Sequence, residues 1–276
     1  MKIDAHQHFW QYDKIKHSWI TPQMKAIQHD FMPNNLINLL KNNGIDGTIA
    51  VQVDQTEDET AYLLKLANEH SFIKGVVGWV DFQDENIDQR LEYFSNFPKL
   101  KGFRHIVQAE NDPNFLLRPQ FLEGISKLEK YNFTYDILIY ENQIENTIHF
   151  VRQFPNQKFI LDHIGKPKIG KGLLKPWASN MIELGKYKNV YCKLSGLVTE
   201  NDWNLWTEDD FIPYFETVFE AFDTNRLVFG SDWPVCMLAA SYEQTLSILE
   251  NNINGFSDQE KSKIWGENAI RFYNLQ

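Results

Sequence analysis

The stretch Met1-Lys2-Ile3-Asp4-Ala5-His6-Gln7-His8 sets the reading of the whole chain. It has the form of a short strand. Alternate side chains of a strand share a face, so His6 and His8 point the same way. Two imidazoles converging at the C-terminal end of a strand begin a metal or acid–base site, whereas two surface histidines on a frayed terminus are the plainer alternative. The rest of the chain decides between them, because the same design recurs. Apolar runs rich in Val, Ile and Phe occupy residues 2–6, 48–53, 74–80, 100–105, 133–139, 158–163, 190–195 and 227–232. Between most of them lie segments of helical period, at 35–43, 85–97, 120–131, 142–154, 176–187, 209–222 and 242–252. Thr56-Glu57-Asp58-Glu59 and Ser257-Asp258-Gln259-Glu260 have the form of capping boxes opening two more, the last burying Ile264, Trp265, Ile270 and Phe272. Strand and helix alternating eight times predict an α/β protein, a (β/α)8 TIM-type barrel in one domain over residues 1–276.

The connecting segments are uneven. Those after strands, at 9–33, 106–119, 164–175, 196–208 and 233–241, are long, and in such a barrel the loops at the C-terminal face build the active site. Trp10, Tyr12, Trp19, Trp177, Trp203, Trp206 and Trp233 fall in or beside these loops. They suit either a pocket wall for a ring-shaped ligand or packing of loops onto the rim.

Composition narrows the function. The 276 residues are 43% hydrophobic and 23% charged, enough for a sizeable core. A net charge of −10 repels phosphate backbones and argues against nucleic acid as a partner. Two cysteines, Cys192 and Cys236, form no CxxC and no disulfide framework. The apolar runs are too short to cross a bilayer and no leader precedes Lys2, so a cytoplasmic setting away from membranes is expected.

Polar groups stand at the strand ends: Gln52 and Asp54, Asp81, Arg104 and His105, Asp162 and His163, Lys193 and Ser195, then Ser231, Asp232 and Trp233. A barrel held by packing alone has no need of ionisable groups repeated at one level, so they read as a catalytic floor. Asp232 follows the apolar run Leu227-Val228-Phe229-Gly230. A partly desolvated carboxylate facing His6 and His8 can bind a metal or take a proton from water, or else cap the following turn. His163 precedes a glycine and a proline that turn the chain past its strand; a core histidine satisfied by backbone is the alternative. Arg104 needs acceptors, from a substrate or from Asp81, Asp136 or Glu110. His17, His29, His70 and His149 read as solvated.

Three of these pieces together resemble the amidohydrolase superfamily: Asp4-Ala5-His6-Gln7-His8, Asp162-His163-Ile164-Gly165-Lys166-Pro167 and Gly230-Ser231-Asp232-Trp233-Pro234. His8-Phe9-Trp10, Lys101-Gly102-Phe103-Arg104-His105 and Tyr191-Cys192-Lys193-Leu194-Ser195-Gly196-Leu197 narrow the resemblance to its sugar-lactone hydrolases of the L-fuconolactonase and L-rhamnonolactonase type. The resemblance implies water activated by the eighth-strand carboxylate, usually with one or two divalent metals. The chain departs from the two-metal pattern, with Arg104-His105 in place of a fourth-strand lysine and no histidine on the fifth strand. One Zn2+ on His6, His8 and Asp232, or no metal at all, are both in keeping with it.

The expected reaction opens a lactone ring to the aldonic acid. Asp232 serves as base, and His163 and Arg104 (or the metal) stabilise the oxyanion. Gln52, Asp54, His105, Lys193 and Trp233 are expected to bind the sugar. A metal-dependent decarboxylase of the same superfamily and a non-catalytic sugar-binding barrel are the competing readings. The sugar, its ring size and the oligomeric state are not legible.

Overall fold

The computed structural model describes residues 1–276 and contains eight parallel strands paired in chain order. They are β1 (Ile3–Gln7), β2 (Gly47–Val51), β3 (Ile73–Gly78), β4 (Leu100–His105), β5 (Thr134–Ile137), β6 (Phe159–Leu161), β7 (Val190–Leu194) and β8 (Leu227–Phe229). The ring closes between β8 and β1. Gln7 bridges Trp233, His8 N–H donates to Trp233 O at 2.8 Å, and Asp232 N–H donates to His6 O at 2.8 Å. The result is the (β/α)8 barrel expected from the alternation.

The strand pleat sorts residues between two cores. Ile49, Val51, Val77, Ile160 and Val228 join a small cluster with Ile3 and Ala5, while their neighbours Ala50, Val76, Leu161 and Phe229 pack in the larger layer under the helices. Strands β5 and β6 are shorter than their apolar runs. Leu138 and Ile139, and Asp162 and His163, leave the ladder yet stay buried, so burial outlasts the strand hydrogen bonding there.

The barrel helices are α1 (Pro33–Asn42), α2 (Glu57–Glu69), α3 (Ile87–Ser95), α4 (Pro119–Ser126), α5 (Ile144–Val151), α6 (Trp177–Gly185), α7 (Ile212–Phe222) and α8 (Tyr242–Asn252). The expected 120–131 helix stops early: a tight turn, Glu129–Tyr131, follows α4, and Asn132 in the left-handed region (φ 58°) redirects the chain into β5. Thr56 caps α2 by accepting Glu59 N–H at 3.2 Å, but the box is half made, because Glu59 turns its carboxylate to Val53 N–H instead. The final helix divides into α9 (Asp258–Ser262), a π-helical turn (Lys263–Glu267) and α10 (Asn268–Tyr273). From α10, Phe272 and Tyr273 reach the small cluster inside the strands. No helix is long and apolar enough to cross a membrane.

Candidate active site

Asp232, just past β8, stands at the centre of the strand ends with φ 59°. Its Oδ1 lies 3.3 Å from His8 Nε2, 3.7 Å from His6 Nε2 and 3.9 Å from His163 Nε2. Burial pushes the Asp232 carboxyl up, but the pull of His163, His8 and Lys166 outweighs it and holds the group below the usual range, ionised. Asp4 braces the strand beneath, accepting from Ser231 N–H at 2.8 Å, Ser231 Oγ–H at 2.7 Å and Tyr242 O–H at 3.1 Å.

The three imidazoles are fixed separately. His8 Nδ1 sits 2.8 Å from Val51 O; a carbonyl only accepts, so Nδ1 carries a proton and Nε2 is the atom turned to Asp232. His163 Nδ1 meets Ser195 Oγ at 2.9 Å. His6 has a cationic group at each ring nitrogen, Lys193 Nζ 3.1 Å from Nδ1 and Arg104 Nη1 3.3 Å from Nε2. Burial, with the Lys193 charge added for His6, holds His6 and His163 well below the ordinary histidine range, so both are neutral.

Under this floor lies a closed ionic cluster. Arg104 donates to Asp162 Oδ2 at 3.0 Å and to Gln52 Oε1 at 3.0 Å. Lys193 Nζ pairs with Asp136 and lies 3.0 Å from Asp162 Oδ1, and Tyr273 O–H donates to Asp136 Oδ2 at 2.7 Å. Burial pushes Asp136 up to about 6. Burial also opposes the charge on Asp162, but Lys193, His6 and Arg104 outweigh it and hold the group well below the usual range.

A cavity of about 540 Å³ opens above, and His8, Arg104, His163 and Asp232 reach it. Other residues expected to touch the sugar lie elsewhere. Gln52 and Lys193 are wholly buried behind Arg104 and His6, because their polar atoms are consumed by the ionic cluster. Asp54 turns to Lys16, 3.6 Å away. His105 takes Trp79 Nε1–H at 3.2 Å, bonds Glu110 at 2.7 Å and stacks on Phe115. Trp233 is buried against Phe9 and Phe31. Of the loop aromatics, Trp19 and Trp203 line the cavity, while Trp10, Trp177 and Trp233 pack the rim. His17 is buried rather than solvated, its Nδ1 accepting Asp13 N–H at 3.1 Å. Arg104 pairs with Asp162, which was not among its expected partners. Sequence reasoning counted Asp162 only as a member of the strand-end floor and Asp136 only as a candidate partner of Arg104, and left Asp4, Lys166 and Glu200 without roles. For Asp4 and Asp136, an ionisable residue inside an apolar strand run was the available signal.

The donor set suits a divalent cation. His8 Nε2 and Asp232 Oδ1 face each other at 3.3 Å, a pair that can share a proton or give up that place to a cation. His6, His8 and Asp232 offer ligand atoms within 4.8 Å of one another in the nitrogen–oxygen mixture that zinc accepts. A second grouping, His6, Asp162 and His163, is less suited, because Asp162 is already committed to two cations.

Comparison with known proteins gives the family. The family model for amidohydrolases matches residues 3–275. An L-fucono-1,5-lactonase of Burkholderia multivorans is 36% identical, aligned over 100% of this chain and 96% of its own length. An L-rhamnono-gamma-lactonase of Scheffersomyces stipitis is 26% identical over 66% of this chain and 61% of its own. A crystal structure of a Burkholderia multivorans amidohydrolase with bound zinc superposes with a TM-score of 0.97 at 37% identity, covering 100% of both chains. Barrel, strand-end residues and full-length match together place the chain in the amidohydrolase family.

Proposed function

We propose that the chain is a hydrolase that opens a sugar-derived lactone, of the L-fucono- or L-rhamnonolactone kind, to the aldonic acid. The observation that carries this is an ionised carboxylate, Asp232, ringed by three imidazoles at the floor of a cavity. Similarity to named lactonases over the full chain supports the substrate class.

Asp232 Oδ1 takes a proton from water as the water oxygen attacks the lactone carbonyl. Charge then develops on the carbonyl oxygen. His163 can donate from Nε2 when Ser195 Oγ–H donates to its Nδ1, and Arg104 contributes positive charge from below. A donor of this kind is worth about 3–4 kcal/mol. On collapse the ring oxygen leaves and takes the proton held by Asp232, so the base is regenerated. Where a divalent metal such as Zn2+ is bound, His6, His8 and Asp232 would hold it, and it would supply Lewis acidity and lower the pKa of water. An ester is activated enough for the carboxylate and these donors to work without one.

The test is a lactone panel followed by proton release, with and without a chelator. Asp232→Asn is expected to cut kcat by about 10²- to 10⁴-fold while leaving the thermal melt in place. Near-normal turnover by that variant would sink the assignment of the base, and the chelator arm decides the metal requirement.

A further inference from the structure

Above the catalytic floor, the cavity wall carries one more pair of charged side chains, Lys166 and Glu200. Both come from segments just past strands, on neighbouring sides of the barrel. Lys166 ends a turn after β6 in which four successive residues have positive φ: His163 at 53°, Ile164 at 48°, Gly165 at 70° and Lys166 at 48°. Left-handed backbone at a β-branched residue is costly and persists only where the surroundings enforce it. Here Trp177 Nε1–H holds Ile164 O at 2.8 Å, and Lys166 N–H closes onto His163 O at 2.8 Å. The turn thereby delivers His163 and Lys166 to the same cavity. Glu200 closes a short helical turn, Val198–Glu200, after β7.

Lys166 Nζ and Glu200 Oε1 stand 3.4 Å apart, with side chains 17% and 20% exposed. A charge-assisted hydrogen bond closes to about 2.7–2.9 Å, so this pair is near contact but not bonded. Neither group has another close hydrogen-bond partner; of the other polar groups on the wall, Gln55 Oε1 accepts Ile106 N–H and Thr199 Oγ–H donates to Gly196 O, while Gln108 Oε1 is unpartnered. Trp19, Met24, Trp203, Val235 and Leu238 make much of the remaining wall apolar. An anionic ligand group would meet Glu200, and a cationic one Lys166. A neutral group that both donates and accepts satisfies the two at once.

We propose that Lys166 and Glu200 form a subsite for adjacent hydroxyls of a polyhydroxylated ring. One hydroxyl accepts from Lys166 Nζ and its neighbour donates to Glu200 Oε1, replacing one long contact by two shorter ones. The couple is then what selects lactones carrying a vicinal diol over bare ones, and this step rests on the lactonase reading. The role left open by the burial of Gln52 and Lys193 passes to this couple.

The experiment compares a hydroxylated sugar δ-lactam, which resists hydrolysis, with bare δ-valerolactam by calorimetric titration of the full chain. In parallel, kcat/KM is measured for a sugar 1,5-lactone and for δ-valerolactone. Glu200→Gln and Lys166→Met are each expected to weaken the hydroxylated lactam about 10- to 100-fold more than the bare one, the size set by a hydrogen bond to a charged group. The sugar-to-bare ratio of kcat/KM should fall by the same factor. The double variant K166M/E200Q leaves no unpaired buried charge and should show the same loss of discrimination. Equal weakening of both ligands, or of neither, overturns the subsite. A protein that prefers the hydroxylated lactam yet opens no lactone keeps the subsite and refutes the lactonase reading. Equal turnover of bare and sugar lactones keeps lactone hydrolysis and overturns the subsite.

Discussion

Lys193 illustrates how burial reassigns a residue. At the end of an apolar strand it reads as a hydroxyl-binding cation, yet its side chain is fully enclosed and shared between Asp136, Asp162 and His6. Buried charges persist where they are paired, and removing one partner strands the others. Lys193→Met is therefore expected to lower stability by about 3–5 kcal/mol in urea unfolding at neutral pH, and adding Asp136→Asn should recover part of it. A single variant that unfolds at the wild-type urea concentration would show that the ammonium does not balance these carboxylates. His8 is the converse case: one carbonyl partner holds its Nδ1–H, and the other nitrogen is left for the site.

At the scale of elements, the candidate site is shared between strand ends, with His6 on β1 and Arg104 on β4, and the segments just past strands, with His8 after β1, His163 after β6 and Asp232 after β8. The β6 turn works only because the β7 turn leaves space for it. Gly196 has φ +67°, and a Cβ there would come within 2.5 Å of His163 Nδ1. An alanine must both adopt a left-handed conformation and displace the imidazole that bonds Ser195. Gly196→Ala is expected to cost about 1–3 kcal/mol and to reduce lactone kcat/KM about tenfold or more. Unchanged turnover in a variant of reduced melting temperature would separate the turn from the chemistry.

Taken whole, the molecule is acidic, net −10, yet Arg104, Lys166 and Lys193 gather in and under the site. Its stability against pH carries a mark of another buried acid. Burial pushes Glu59 up to about 7, with Lys16 and Val53 N–H opposing only in part. Between about 4.5 and 7 the folded chain then holds more proton than the unfolded one, so this group's contribution declines as pH rises through that window. At about 1.4 kcal/mol per unit, the loss is at most about 3.5 kcal/mol. His6 and His163, held neutral by burial, act in the opposite sense below the ordinary histidine range. The readout is therefore the difference in melting temperature between wild type and Glu59→Gln: it should fall between pH 5 and pH 7.5, and parallel curves would refute it. The barrel itself was legible in the chain, because strand runs, helical period and caps are local properties that neighbouring residues determine together. His6, His8, Arg104, His163 and Asp232 were legible as a level, since each ends an apolar run. Helix ends such as that of α4, and the break before α10, were not, because packing against the barrel overrides local propensity. Nor could local pattern separate groups facing the cavity from groups beneath it. Pairing of Arg104 with Asp162 across the barrel, and the packing that carries Lys193 under His6, are contacts between distant residues. Only the closed barrel brings them within reach, and only the folded loops set Lys166 beside Glu200.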